Sequence, residues 1–181
     1  MNVPNILTIL RFLLIPVFAH YLSTRHYITA MLLFLAGGLT DVLDGYIARK
    51  YNLVTSWGKI ADPMADKLMQ ITAVSILSFG LGIIPFEFVL IIFAKEALMG
   101  AGALVLYKQN HYVVSANWYG KMTTVIFYLA IIMLMFDEPF GRWNILGLAL
   151  NQLFFIIAII AALFAFFMYF RAYLSIKKQK Q

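Results

Sequence analysis

Long apolar runs separated by short polar knots organise this chain. After the opening "NVPN", apolar residues run from about Ile6 to Leu22, interrupted by Arg11. Further runs cover about Ile28 to Ala48, Ile60 to Phe79, Pro85 to Tyr107, Tyr119 to Phe136 and Asn144 to Phe170. Each is near the ~20 residues that a helix needs to cross a bilayer core. The pattern predicts six transmembrane helices. Pro4 suits a first helical turn, where a missing N–H costs little. Connections are short and no repeat or linker divides the chain, so residues 1–181 are expected to form one domain.

The cations sort by side. Arg49, Lys50, Lys59 and Lys67 flank the second–third connection, and Lys108 and Lys121 flank the fourth–fifth. Arg171, Lys177, Lys178 and Lys180 follow the sixth run, against only Arg25 and Arg142 on the opposite side. Such asymmetry predicts that both termini are cytoplasmic.

Composition agrees with this layout. The chain is 63% apolar and 12% charged, whereas soluble domains are about 45–50% apolar and about 25% charged. A water-soluble globule is excluded, and an all-α, multi-pass protein of the cell membrane is expected. The net charge of +6 then reflects topology, and no nucleic-acid partner is required. Cysteine is absent, so disulfides and thiolate metal sites are excluded. His20, His26 and His111 are scattered without ligand spacing. Arg11 interrupts the first apolar run, and no small-residue cleavage site precedes a soluble domain, so a cleavable signal is not expected.

One stretch resists the lipid-facing reading. Half of the eight acids lie in "TDVLDGYIARKYNLVTSWGKIADPMADKL", at Asp41, Asp44, Asp62 and Asp66. Asp41 and Asp44 are three residues apart near the end of the second run, and Asp62 and Asp66 are four apart near the start of the third. Each pair therefore shares one helical face, and the topology brings both to the cytoplasmic side. Four unpaired carboxylates at a membrane would repel one another and be costly to bury. The cations in the connection, Arg49, Lys50, Lys59 and Lys67, are too few to neutralise them while also serving the interface. Hard divalent ions with all-oxygen ligation solve the problem, and magnesium commonly adds substrate phosphates to a few carboxylates. A one- or two-metal site for a phosphate-bearing substrate is the expectation. Gly45, beside Asp44, leaves room for a ligand against the backbone. Gly58 either does the same or turns the loop. Arg49 either forks onto phosphate oxygens or simply marks the cytoplasmic side.

These residues resemble the signature of the CDP-alcohol phosphatidyltransferase family, D-x2-D-G-x2-A-R-x8-G-x3-D-x3-D. It is matched by Asp41, Asp44, Gly45, Ala48, Arg49, Gly58, Asp62 and Asp66 with every spacing kept. Eight fixed identities have a chance probability on the order of 10⁻¹⁰ per window at ordinary residue usage. The "PNILTILR" opening and the six-run layout extend the likeness over most of the chain. The resemblance implies an integral membrane enzyme in which the motif acids Asp41, Asp44, Asp62 and Asp66 would ligate one or two Mg2+ or Mn2+ ions. It implies transfer of a phosphatidyl group from CDP-diacylglycerol to a small alcohol acceptor, with release of CMP. Asp66 would be the general base on the acceptor hydroxyl. Gly45, Arg49 and Gly58 would contact the cytidine nucleotide, with Thr55 as a hydroxyl partner. Asn5 and Thr8 fall where family members touch the donor, or else cap and pack the first helix. Relatives imply a homodimer.

The acceptor rests on "FAKEALMG" and "NWYGKMTT", which carry Lys95 in the fourth run and Lys121 at the start of the fifth. An ionisable group within a span is a functional hypothesis by default. Lys95 and Lys121 are candidates for an acceptor phosphate; the alternative for Lys95 is pairing with a nearby acid such as Asp62, or snorkelling. The likeness is greatest to the glycerol-3-phosphate branch, the phosphatidylglycerophosphate synthases. That branch commonly has R-E and G-K-x-K-T here, where this chain has Lys95-Glu96 and Gly120-Lys121-Met122-Thr123-Thr124. A lysine point charge grips phosphate less well than an arginine fork, which leaves room for phosphatidylglycerol as acceptor and a cardiolipin-forming reaction. A non-enzyme rival is a divalent-cation transporter lined by the acids. Acids grouped at one face beside Arg49, instead of at mid-membrane, speak against it.

Overall fold

Six α-helices and one π turn make up most of the described protein: α1 (Val3–Ser23), α2 (Tyr27–Lys50), α3 (Gly58–Ser75), the π turn Ile76–Gly80, α4 (Phe86–Asn110), α5 (Trp118–Met135) and α6 (Leu150–Lys178). The computed structural model describes residues 3–51, 53, 55, 58–110, 118–136, 143–145 and 148–178. Among these, Asn5–Ser23, Tyr27–Ala48 and Leu150–Met168 are long and apolar enough to cross a membrane, and Met122–Met135 is a shorter apolar helix. Large apolar side chains such as Leu13, Leu39, Val42, Ile160 and Phe164 are exposed. In water that would be a liability; against lipid it is the expected solution, because the tails are as apolar as the side chains that meet them.

The described chain forms two compact units, Met1–Ile83 and Ile84–Gln181. In the first, α1 packs against α2 and α3. Phe18 and Phe34 stack with centroids 5.4 Å apart, among buried Leu22, Met69 and Leu77. Small residues allow the helices to approach closely. Ala30, Ala61 and Ala65 are buried, and a Cβ on Gly37 would stand 2.5 Å from the Met69 sulfur.

The turns explain where the helices stop. After α1, Arg25 takes a left-handed conformation (φ 62°). Its N–H donates to the Leu22 carbonyl at 3.1 Å, and that of His26 donates to Tyr21 at 2.9 Å. These are the two bonds of a Schellman stop, made here without the usual glycine. After α3 the chain widens into the π turn, and Gly82 supplies the positive φ (65°) that lets it leave.

In the second unit α6 packs against α5 and α4. Phe88 and Phe127 lie 6.0 and 5.9 Å from the ring of Phe155. Here one expected boundary is corrected. The sixth helix begins at Leu150, not Asn144, because Asn144–Ile145 pairs antiparallel with Leu148–Ala149. Those backbone groups bond across a miniature hairpin, with the Leu150 N–H closing onto the Trp143 carbonyl at 2.9 Å. The tract includes Gly147, a poor helix former.

Candidate functional site

Three polar residues spaced by three, Asn5, Thr8 and Arg11, interrupt the apolar sequence of α1. That spacing puts them along one side of the helix. Each meets the region of the motif acids. Thr8 is fully buried, and its hydroxyl donates to Asp62 Oδ1. Arg11 is 1% exposed; its Nη1 lies 2.9 Å from Asp41 Oδ1 and its Nη2 lies 2.5 Å from Asp44 Oδ2. The same guanidinium reaches the Asp62 backbone carbonyl at 3.4 Å and the Thr40 hydroxyl at 3.5 Å.

The acids differ in setting. Asp44 is 1% exposed and Asp41 42% exposed. Asp62 and Asp66 come from α3, and the backbone carbonyl of Asp62 lies 3.4 Å from the Arg11 guanidinium that pairs with the α2 acids. Asp66 Oδ2 accepts from Gln70 Nε2 at 3.0 Å, one helical turn on. The four carboxylates therefore come from α2 and α3 to a common region.

Arg11, from a third helix, adds one cation that the loop-charge reasoning did not count, and still leaves the four acids in excess. Sequence reasoning considered the charges of the connecting loop and treated Arg11 only as a break in an apolar run. The available signal was its position. A cation in mid-span is costly unless paired, and its spacing from Asn5 and Thr8 pointed it toward a polar partner.

A second network lies at the start of α3. The Thr55 hydroxyl accepts from the Gly58 N–H at 2.9 Å and donates to Asn5 Oδ1 at 3.0 Å. Gly58 is confined: an added Cβ would lie 3.0 Å from Thr55 Oγ1, 3.4 Å from Asn5 Oδ1 and 3.6 Å from Asp62 Oδ2. The close approach explains the need for glycine, and ties Asn5, Thr55 and Asp62 to one neighbourhood. Gly45 lies on α2 next to Asp44. The side chains of Arg49 and Lys121 lie outside the description, although their backbones belong to α2 and α5. Lys95, on α4 in the second unit, pairs with its neighbour Glu96 at 2.6 Å, both largely buried. A paired lysine was one of the two readings open for it, with a different acid as the partner.

The donor set has the chemistry of a hard-cation site, since it offers carboxylate oxygens and no nitrogen or sulfur ligand. A positive group already stands between Asp41 and Asp44 in the form of the Arg11 guanidinium, so the region accepts a cation. Among the described residues no three acids surround a single point closely enough to ligate an ion. The residues fit divalent ions in charge and donor type, with Arg11 as the stand-in.

Comparison with known proteins gives this arrangement a context. Residues 1–174 match the profile of the family described as CDP-alcohol phosphatidyltransferase. A protein of Mycobacterium tuberculosis named "Putative cardiolipin synthase" is 31% identical over 173 residues, covering 93% of this chain and 81% of the relative. A CDP-diacylglycerol–glycerol-3-phosphate 3-phosphatidyltransferase of Aquifex aeolicus is 33% identical over 150 residues, covering 78% and 82%. One of the same name from Bacillus subtilis is 33% identical over 155 residues, covering 77% and 79%.

Proposed function

The chain belongs to the CDP-alcohol phosphatidyltransferase family, and on that premise we propose that it transfers the phosphatidyl group of CDP-diacylglycerol to glycerol 3-phosphate. The products are phosphatidylglycerophosphate and CMP. The carrying observation is the complete motif, with Asp41 and Asp44 of α2 paired to a buried Arg11 that also reaches the Asp62 carbonyl of α3. Membership in an enzyme family also removes the reason for reading the acids as a transport path.

Asp41, Asp44, Asp62 and Asp66 would hold the divalent ions, Mg2+ or Mn2+ and two in number. When bound, such ions draw charge from the donor's diphosphate and stabilise departing CMP. The protein's own part begins with Asp66, which takes the proton of the acceptor hydroxyl. The hydroxyl oxygen forms a bond to the phosphorus that bears diacylglycerol, and the bond from that phosphorus to the CMP oxygen breaks. A base works within about 2.6–3.2 Å of the proton it removes, which suits a partly exposed carboxylate oriented by Gln70. Gly45, Arg49 and Gly58 receive the cytidine nucleotide, and Asn5, Thr8 and Thr55 line the donor side. The acyl chains remain in lipid throughout, which accounts for the exposed apolar helices. We read the chain as one domain with six spans, both termini and the active site cytoplasmic, working as a homodimer.

Gly58→Ala tests the donor side. The methyl group would displace Thr55 or Asn5, and the KM for CDP-diacylglycerol is expected to rise roughly tenfold, equivalent to about 1.4 kcal/mol. Initial rates over a donor titration measure it; an unchanged KM would separate Gly58 from donor binding.

The acceptor is tested with purified protein, CDP-diacylglycerol, magnesium and either glycerol 3-phosphate, phosphatidylglycerol, inositol or serine, with the lipid product identified by mass. Phosphatidylglycerophosphate is the expected product. Lys95→Gln is expected to raise the KM for glycerol 3-phosphate several-fold while leaving the KM for donor unchanged. The second reading, a cardiolipin-forming reaction with phosphatidylglycerol, draws on Lys95 and Thr123 standing where the branch commonly has arginine and lysine. The name of the mycobacterial relative also favours it. Product only from the phosphatidylglycerol arm would replace the first reading with the second.

A further inference from the structure

Arg11 is a fully buried cation within a span. Its 1% exposed side chain reaches two carboxylates of α2, a hydroxyl of α2 and a backbone carbonyl of α3. We propose that Arg11 is the resident counter-cation of the acid cluster. It holds Asp41 and Asp44 in the ion-free protein, competes with divalent ions for the same oxygens, and gives them up when the ions load. This rests on the reading of the four acids as metal ligands.

Charge makes the competition unavoidable. Four ionised carboxylates and one guanidinium leave a net charge of −3 in the region. Two divalent ions would turn that to +1, so the arrangement that suits the ion-free site opposes a guanidinium kept among the loaded ligands. Like charges sharing a low-dielectric site repel strongly. Geometry sharpens the point. Arg11 uses one oxygen of each acid, with short contacts of 2.9 and 2.5 Å, and Asp44 is too buried for water to replace the lost partner. Released from the acids, the planar fork of Arg11 would stand beside the site with its donors free for an anion, and phosphate oxygens match that fork. Arg11 is thus a positioning residue, keeping mutually repelling acids in place until their ions arrive.

The test uses full-length protein in neutral detergent, with Mn2+ as the probe. Free Mn2+ is counted by electron paramagnetic resonance, and thermal unfolding is followed by tryptophan fluorescence in chelator and in saturating Mn2+. Arg11→Gln is expected to bind Mn2+ about tenfold or more tightly than the unaltered protein, because a competing charge is gone. In chelator it should unfold at a lower temperature, and Mn2+ should close most of that gap. The exposed-site control Arg171→Gln should match the unaltered protein in both measurements. A purely structural Arg11 would lower stability equally with and without Mn2+ and leave affinity unchanged; either result overturns the proposal. Should Arg11→Gln fail to fold, Arg11→Lys keeps a charge but cannot fork across both acids. Tighter Mn2+ binding by that variant supports the competition, and unchanged or weaker binding overturns it. An unaltered protein that binds no Mn2+ would instead sink the metal-site reading itself, and the proposal with it.

Discussion

Asp66→Asn is expected to lower phosphatidyl transfer by about 10²–10⁴-fold, the usual contribution of a positioned general base. The substitution is nearly isosteric, and an amide oxygen still accepts from Gln70 Nε2, which bonds Asp66 at 3.0 Å in the native protein. Membrane insertion and donor binding should therefore persist. The measurement is CMP release, paired with equilibrium binding of CDP-diacylglycerol. Turnover close to that of the unaltered enzyme would remove Asp66 as the base. Because Asp66 is also placed among the metal ligands, a Mn2+ titration separates its roles. A loss that saturating Mn2+ repairs belongs to a ligand, whereas one that persists at full occupancy belongs to a base.

Asp44→Ala is expected to have the largest effect on stability. Both members of the Arg11–Asp44 pair are 1% exposed, and stranding one member of a buried pair typically costs about 3–5 kcal/mol. Arg11 keeps its bond to Asp41, so the cost should fall near the lower end, about 3 kcal/mol. Asp41→Ala is the informative contrast. Its carboxylate is 42% exposed, water screens the pair, and exposed pairs contribute about 0–1 kcal/mol. Unfolding in chelator should thus rank Asp44→Ala well below Asp41→Ala, although both should lose transfer through the metal site. Equal destabilisation would mean that burial of the Asp44 pair does not govern its strength.

The relatives sharpen what is at stake in the acceptor. Names on both sides, a glycerol-3-phosphate transferase and a cardiolipin synthase, come with nearly equal identity. Overall similarity therefore does not choose between them. In the proposed reading the choice would turn on basic positions in α4 and α5, of which Lys95 is engaged by Glu96 at 2.6 Å. A lysine so paired must loosen from its partner, or share its charge, to take a phosphate. That agrees with a weaker phosphate grip than an arginine fork would give.

Local and periodic information was enough for the family and the helical class. Apolar run length sets helix existence directly, and the i,i+3 and i,i+4 spacings of the aspartates put each pair on one face without help from distant residues. The start of α6 escaped, because pairing of Asn144–Ile145 with Leu148–Ala149 competes with helix formation through bonds that apolar periodicity does not register. The larger omission was Arg11. Its position in a span announced that it needed a partner, but which partner depended on how α1 lies against α2 and α3. Sequence separations of 30 and 33 residues lie between Arg11 and its two carboxylates. Spacing along one helix fixes which side chains share a face; only the packing of helices decides which face meets another, and hence which charge neutralises which.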